Sequence, residues 1–222
     1  MNNDVDFELD AAAAPAARNG AHSAGVAVAP RALAPAPAMA DPAALGLGAF
    51  ALTTFVLSVF NAGLVPAGAE PVVFGLALFY GGMTQFAAGI WEFANRNTFG
   101  GTAFCSYGAF WMSFWFLARF TDLSGAGADA KKGVAVFLFA WGIFTLYMTI
   151  AARRTSGALF FVFVFAALTF FTLAAGDWTG TVGITRVGGV LGLVTAFLAW
   201  YVSFAVVINS TYKRTVLPVF PQ

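Results

Sequence analysis

Six apolar stretches, each long enough to cross a lipid bilayer, constrain this chain more than any other feature. They cover roughly residues 45–65, 71–95, 101–121, 133–152, 157–176 and 188–209. A membrane-spanning helix needs about 20 predominantly apolar residues. A helix also satisfies its backbone polar groups within the segment, as lipid requires. The pattern predicts an all-α polytopic membrane protein whose six transmembrane helices form one domain over residues 41–212.

Composition agrees with lipid as the solvent for much of the surface. Hydrophobic residues make up 60% of the 222 residues and charged residues 9%, with a mean hydropathy of +0.81. Soluble domains have about 25% charged residues, so this chain has too few to cover a globular surface in water. The net charge of +1 offers no electrostatic footprint for nucleic acid.

The two ends of the chain differ in character from the apolar core. Residues 1–40 are rich in Ala and Pro, and we expect a disordered tail there, with a short second tail over residues 213–222. Basic residues should concentrate on the cytoplasmic side. One side would hold Arg18, Arg31, Arg96, Arg153, Arg154, Lys213 and Arg214, and the other Arg119, Lys131, Lys132 and Arg186. This bias places both tails in the cytoplasm.

Residues suited to metal binding or catalysis are scarce. The chain has one cysteine, Cys105, and one histidine, His22, which lies in the tail. A zinc site needs three or four suitable ligands, and none can be assembled here. No apolar stretch contains a histidine, an acid cluster or a nucleophile–base pair. We therefore expect no cofactor and no enzymatic activity.

Polar side chains recur on one helical face in three consecutive stretches. The first has Phe50, Thr54, Ser58 and Asn61; the second has Gly81, Gln85, Gly89 and Glu92; the third has Thr102, Ser106 and Ser113, with Tyr107 and Trp111 alongside. Such groups could join helices by hydrogen bonds. They could instead converge on a narrow path for a small solute, because polar groups in the membrane usually face protein or a wet cavity.

Two further patterns have a structural reading. Glu92 lies near the end of its stretch, where it could carry a proton or simply pair with Arg96 four residues later. Gly188 and Gly192, with Gly189 beside them, form a GxxxG pair. Such a pair predicts close helix approach, within a subunit or between subunits.

Several motifs in order resemble one known family. They are Asp41-Pro-Ala-Ala-Leu-Gly-Leu47, Phe79-Tyr-Gly-Gly-Met-Thr-Gln85, Trp91-Glu92, Asn97-Thr-Phe-Gly-Gly-Thr-Ala-Phe104, Ser106-Tyr-Gly-Ala-Phe-Trp111, Trp141-Gly-Ile-Phe-Thr-Leu146 and Arg214-Thr-Val-Leu-Pro218. The chain resembles the acetate uptake transporter family, the succinate–acetate permease-like proteins, over roughly residues 41–220. The long tail and the run Ala-Leu-Thr-Thr-Phe-Val-Leu-Ser58 are more similar to fungal members than to bacterial ones.

The resemblance implies a hexameric ring with a separate path in each six-helix subunit. It implies uptake of acetate and other small carboxylates such as succinate, linked to protons or channel-like. The family's narrow point is an apolar triad, which maps to Phe50, Tyr107 and Leu168. Beside it, Thr54, Asn61, Gln85, Ser106 and Trp111 are candidates for binding the solute. Tyr107 would also offer its hydroxyl to a carboxylate.

The first motif departs from the family pattern at two positions. Its residues Asp41, Pro42, Leu45, Gly46 and Leu47 are expected at the pore mouth. Asp41 stands where the family has Asn, and Ala44 where it has Pro. Asp and Asn can both cap a helix, so the fold should tolerate the change. A carboxylate at the mouth would repel anions, and this bears on substrate preference.

Three other functions compete with carboxylate transport. A narrow polar and aromatic path could carry ammonium or water instead. The chain could be a membrane sensor or scaffold without flux, and an intramembrane enzyme is disfavoured by the residues available. We expect the plasma membrane as its location, with an organelle membrane as the alternative.

Overall fold

The computed structural model describes residues 39–220 of the chain. This part is helical and contains no β-strand. The predicted tail over residues 1–40 lies outside the described residues except for Met39 and Ala40, and His22 lies outside them too. The predicted fold class, all-α, is confirmed for the described part.

Six long helical segments occupy the positions of the six apolar stretches. They are α1 (Ala43–Asn61), α2 (Ala67–Ala94), α3 (Thr98–Phe120), α4 (Ala130–Ala152), α5 (Gly157–Thr179) and α6 (Val182–Tyr212). Five of them, all except α3, are long and apolar enough to cross a membrane. The 23 residues of α3 include Gly, Ser, Tyr and Trp, which are less apolar than the aliphatic residues of the other helices.

The helix ends follow local sequence signals. Asp41 Oδ1 accepts a hydrogen bond from the Ala43 amide at 2.8 Å, just before α1. Asn97 Oδ1 accepts from Gly100 N at 3.0 Å, and Ser156 Oγ from Leu159 N at 3.2 Å. These side chains supply acceptors for amides that have no partner within their helix. At the end of α5, Gly180 adopts a left-handed conformation with φ 67°, which glycine tolerates well.

The second segment is the least regular. It begins as a 3₁₀ turn over Ala67–Val72 that contains Pro71, so it starts earlier than the sequence predicts. Its middle, Leu76–Thr84, is a π-helix, and Gln85–Ala94 returns to α-helix. Wide turns of this kind are rare and often lie at functional sites.

Small residues bring the helices together. The chain packs α1 against α6, α6 against α5, α5 against α4, and α2 against α3 and α1. A Cβ on Gly189 of α6 would overlap the backbone of Asn61 and Ala62, and one on Gly192 would overlap the Ser58 hydroxyl. The predicted close approach at the GxxxG pair is confirmed within the subunit: Gly192 lies against α1, whereas Gly188 lies against Leu173 of α5.

Candidate functional site: two cavities and an aromatic constriction

Two cavities enter the helical bundle. The Glu92 cavity, with a volume of about 60 Å³, is lined by the first half of α1, the end of α2, the first half of α3 and the start of α5. The Trp111 cavity, of about 460 Å³, is lined by the second halves of α1, α3 and α5 together with parts of α4 and α6. The cavities therefore involve different ends of α1, α3 and α5.

Phe50 and Ala166 line both cavities, so the cavities meet at these two residues. Tyr107 and Phe163 complete the wall on the Glu92 side, and Phe170 lies on the Trp111 side. We call these five residues the aromatic constriction. The ring centroids of Phe50 and Tyr107 are 5.5 Å apart, and those of Tyr107 and Phe170 are 6.5 Å apart. These are distances at which aromatic rings pack on each other.

Two of the three residues predicted for the narrow point, Phe50 and Tyr107, lie at the aromatic constriction, and the third, Leu168, does not. Phe50 is 6% exposed and Tyr107 is 4% exposed, whereas Leu168 is 46% exposed and lines neither cavity. The prediction for Leu168 is wrong because of helix geometry. Two residues along an α-helix turn a side chain by about 200°, so Leu168 points away from the side that Ala166 presents.

The Tyr107 hydroxyl is engaged by α4. It donates to Thr145 Oγ1 at 2.9 Å, and that hydroxyl in turn donates to the Trp141 carbonyl oxygen at 2.8 Å. Thr145 is fully buried. In this structure the hydroxyl fixes the ring against α4 and does not donate into the cavity, contrary to the expectation from sequence.

Several buried polar atoms at the cavities have no protein partner. They are Thr54 Oγ1 and Trp111 Nε1 in the Trp111 cavity, and Glu92 Oε1 with both amide atoms of Gln85 in the Glu92 cavity. A buried polar group without a hydrogen bond costs roughly 1–3 kcal/mol. Such groups are rare in folded proteins and call for an explanation. Their residues line the cavities, so a polar solute or water that entered beside them would supply the missing hydrogen bonds.

Glu92 is held by the next helix rather than by Arg96. Its Oε2 accepts from Asn97 Nδ2 at 2.8 Å, and Asn97 also caps α3. The carboxyl group is 2% exposed. The alternative of a Glu92–Arg96 pair is therefore wrong in this structure.

The other predicted residues have mixed positions. Asn61 lines the Trp111 cavity, whereas Ser106 is half-buried and lines neither cavity. Within the first motif, Leu47 lines the Glu92 cavity, and Gly46 faces the Phe104 ring so closely that a Cβ would lie 2.8 Å from it. Leu45 is 47% exposed, and the Pro42 carbonyl oxygen accepts from the amides of Leu45 and Gly46.

All charged residues along the two cavities are acidic. Glu92 lines one cavity, and Glu70 and Asp177 line the other. No Lys or Arg side chain among residues 39–220 lines either of them. The same range holds no group of three or more His, Cys, Asp or Glu residues that could bind a metal.

Sequence reasoning missed Ala166, Phe163, Phe170, Thr145 and Asn97. A signal for the first three was present. Phe163, Ala166 and Phe170 recur at spacings of three and four, which places them on one face of α5. Nothing in the sequence alone marks Thr145 as the partner of Tyr107, because that pairing depends on how α3 and α4 pack.

Several known proteins are similar to this chain in sequence, and one solved structure is similar to it in fold. The sequence model of the GPR1/FUN34/yaaH family matches residues 24–222. "Ammonia transport outward protein 2" of Saccharomyces cerevisiae is 44% identical over 142 residues, 60% of this chain and 49% of that protein. "Succinate-acetate/proton symporter SatP" of Escherichia coli is 35% identical over 150 residues, 68% of this chain and 80% of that protein.

A solved structure of the bacterial acetate channel SatP superimposes with a TM-score of 0.75 at 35% identity, covering 82% of this chain and 99% of that one. The chain spans about half the length of the yeast relatives it matches. The resemblance to the acetate uptake transporter family is confirmed by these matches.

Proposed function

The chain belongs to the GPR1/FUN34/yaaH family, and we propose that it carries acetate and other small monocarboxylates across a membrane. The observation that carries the proposal is the aromatic constriction between two cavities. The cavities reach the constriction from different ends of α1, α3 and α5 and meet at Phe50 and Ala166. A route of this form needs only a small opening of the constriction to become continuous.

The constriction selects by size and by dehydration. Apolar rings can block a path by excluding water until a solute or a side-chain movement opens them. On either side, the unpartnered atoms of Thr54, Trp111 and Gln85 replace part of the hydration shell of a carboxylate. Hydrogen bonds to a charged group contribute about 1.5–3 kcal/mol each. A few of them hold a small carboxylate weakly enough for it to leave again.

The membrane arrangement is part of the proposal. We infer that α3 crosses the membrane with the five more apolar helices, because its 23 residues match the others in length and its cavity side lies among them. Both tails then lie in the cytoplasm, according to the loop charges. We further propose a hexamer in the plasma membrane, with one path per subunit, coupling to protons, and succinate as an additional substrate.

Uptake of labelled acetate into proteoliposomes that contain the purified chain tests the proposal. We expect saturable uptake above that of empty liposomes, competition by unlabelled acetate, and faster uptake with an inward proton gradient. Phe50→Ala should alter the size preference in the same assay. Absence of uptake by folded, inserted protein would refute carboxylate transport.

Ammonium is the second candidate solute, favoured by one specific observation. The charged residues along the two cavities are all acidic, and acidic linings favour cations. One relative bears the name of an ammonia transporter. A parallel assay measures the uptake of labelled methylammonium and so separates the two candidate solutes. Methylammonium should compete with acetate only if both solutes use the same path.

A further inference from the structure

We propose that the species that crosses the aromatic constriction is the uncharged carboxylic acid, with Glu92 accepting a hydrogen bond from its hydroxyl group. The inference rests on the proposed function, because it names the form in which the solute passes. Three features carry it: the charge of the cavity walls, the free atoms of Glu92 and Gln85, and the apolar lining of the constriction.

The wall charges disfavour an anion. Glu92, Glu70 and Asp177 line the two cavities, and no basic side chain in the described part of the chain accompanies them there. Anion-selective pores are lined by Lys or Arg. A carboxylate anion therefore meets repulsion from Glu92 in the Glu92 cavity, whereas a neutral acid does not. In the Trp111 cavity, Lys131 of α4 acts on Asp177 with the opposite charge.

The free atoms of Glu92 and Gln85 match the two ends of a carboxylic acid group. Glu92 Oε1 is buried and unpartnered, while Oε2 is occupied by Asn97. An acid hydroxyl can donate to Oε1, and hydrogen bonds to carboxylates are among the strongest in proteins. Gln85 lies seven residues earlier, about 10 Å closer to the constriction along the helix axis. Its unpartnered amide offers a donor for the acid carbonyl as the solute moves on.

The surroundings of Glu92 contain few other titratable groups. Asp41, just before α1, lies near enough to act on Glu92 by charge repulsion. Arg96 follows it in the turn after α2 without forming an ion pair. From α3, Tyr107 is the titratable residue along the same cavity. The residues of α5 along the cavity are apolar: Leu159, Val162, Phe163 and Ala166.

The constriction adds a dehydration barrier that depends on charge. Its walls are rings and one methyl group, and the Tyr107 hydroxyl is already donated to Thr145. Moving an ion into such an environment costs far more than moving a neutral polar group. The acid keeps its proton throughout the passage, so each acetate carries one proton with it and no net charge moves.

Transport by the unaltered full chain in proteoliposomes tests the inference with three solutes. Acetamide is a neutral analogue of acetic acid at every pH, whereas trifluoroacetate stays ionised. With empty liposomes subtracted, we expect acetamide to enter independently of pH and trifluoroacetate to be excluded. Aliphatic carboxyl groups titrate near pH 4.3, so acetate uptake should fall about tenfold per pH unit between pH 5.5 and 7.5. An imposed membrane potential should leave it unchanged.

The outcomes separate this inference from the proposed function. If acetate enters but its uptake follows the membrane potential, or if trifluoroacetate enters as fast as acetate, the chain is a carboxylate transporter and the inference is wrong. If neither acetate nor acetamide enters at any pH, the proposed function itself is wrong.

Glu92→Gln tests the residue assignment. Its amide oxygen can still accept from Asn97, but the remaining atom is a donor instead of an acceptor. We expect acetate uptake to fall about 10-fold or more at each pH, with the steepness of the pH dependence unchanged. Asp129→Asn, in the exposed loop before α4, is the matched control and should behave as the unaltered chain. Unchanged uptake by a folded Glu92→Gln protein would overturn the role of Glu92.

Discussion

Replacing Ala166 by leucine puts an isobutyl group in place of a methyl group at a residue that lines both cavities. Ala166 is 4% exposed and, like Phe50, lines both cavities, so the added group has to enter the constriction or displace a neighbouring side chain. Overpacking of this kind costs roughly 1–3 kcal/mol. If the same energy is added to the barrier for opening the path, the uptake rate falls about 5- to 150-fold. Each 1.4 kcal/mol corresponds to a factor of ten.

Leu168→Ala is the matched control for this substitution. It makes the reverse change, from an isobutyl group to a methyl group, two residues further along α5. Leu168 is 46% exposed and lines neither cavity. Initial rates of labelled acetate uptake should therefore match those of the unaltered chain. Size-exclusion profiles and thermal unfolding in detergent establish that both variants are folded. Normal uptake by folded Ala166→Leu protein, or a widened size range in Leu168→Ala, would refute this view of the constriction.

Three further substitutions test other parts of the structure. Phe50→Ala removes a ring from the junction of the cavities and should raise uptake of butyrate relative to acetate, which competition assays measure. Tyr107→Phe should leave acetate uptake within about twofold of that of the unaltered chain, because the hydroxyl donates to Thr145. Thermal unfolding should show a free energy of unfolding lower by about 0.5–1.5 kcal/mol. Strongly reduced uptake would show that the hydroxyl reaches the solute. Gly189→Ala would place a methyl group against the backbone of Ala62, so the contact between α1 and α6 must open. The yield of folded protein should drop well below that of the control Gly183→Ala, where a Cβ meets open space.

The helices could be predicted because lipid imposes a simple rule on composition. Stretches of about 20 apolar residues give the number and order of the helical segments. Details that depend on hydrogen bonding within a segment could not be predicted. The π-helix over Leu76–Thr84 has wider turns than an α-helix, and hydropathy does not reveal them. The 3₁₀ turn over Ala67–Val72 extends α2 through Pro71, where the sequence predicts the start of the helix.

The site was predictable where residues on one helix share a face. The spacing of Phe50 and Thr54 places both along the path, and the same rule places Gln85 and Glu92 together. The spacing rule does not predict contacts between helices, because a shift of one residue along a helix changes which side chain faces the neighbouring helix. The motif position predicts Leu168, yet Ala166 lies at the junction, because the side of α5 that lines the cavities is fixed by three-dimensional packing.

The departure at Asp41 illustrates how one residue can be neutral for the fold and relevant to selectivity. Its Oδ1 accepts from the Ala43 amide, a bond that an asparagine oxygen would also form, so the start of α1 does not depend on the charge. The remaining charge is close enough to repel Glu92 and adds to the acidic character of this end of the path. An anion approaching from that side meets two carboxylates before it reaches the first unpartnered donor, Gln85. A neutral acid meets none of this repulsion and finds in Glu92 an acceptor for its hydroxyl. On the proposed path, the carboxylates that disfavour ionised acetate leave the protonated acid unaffected, and Glu92 offers it an acceptor.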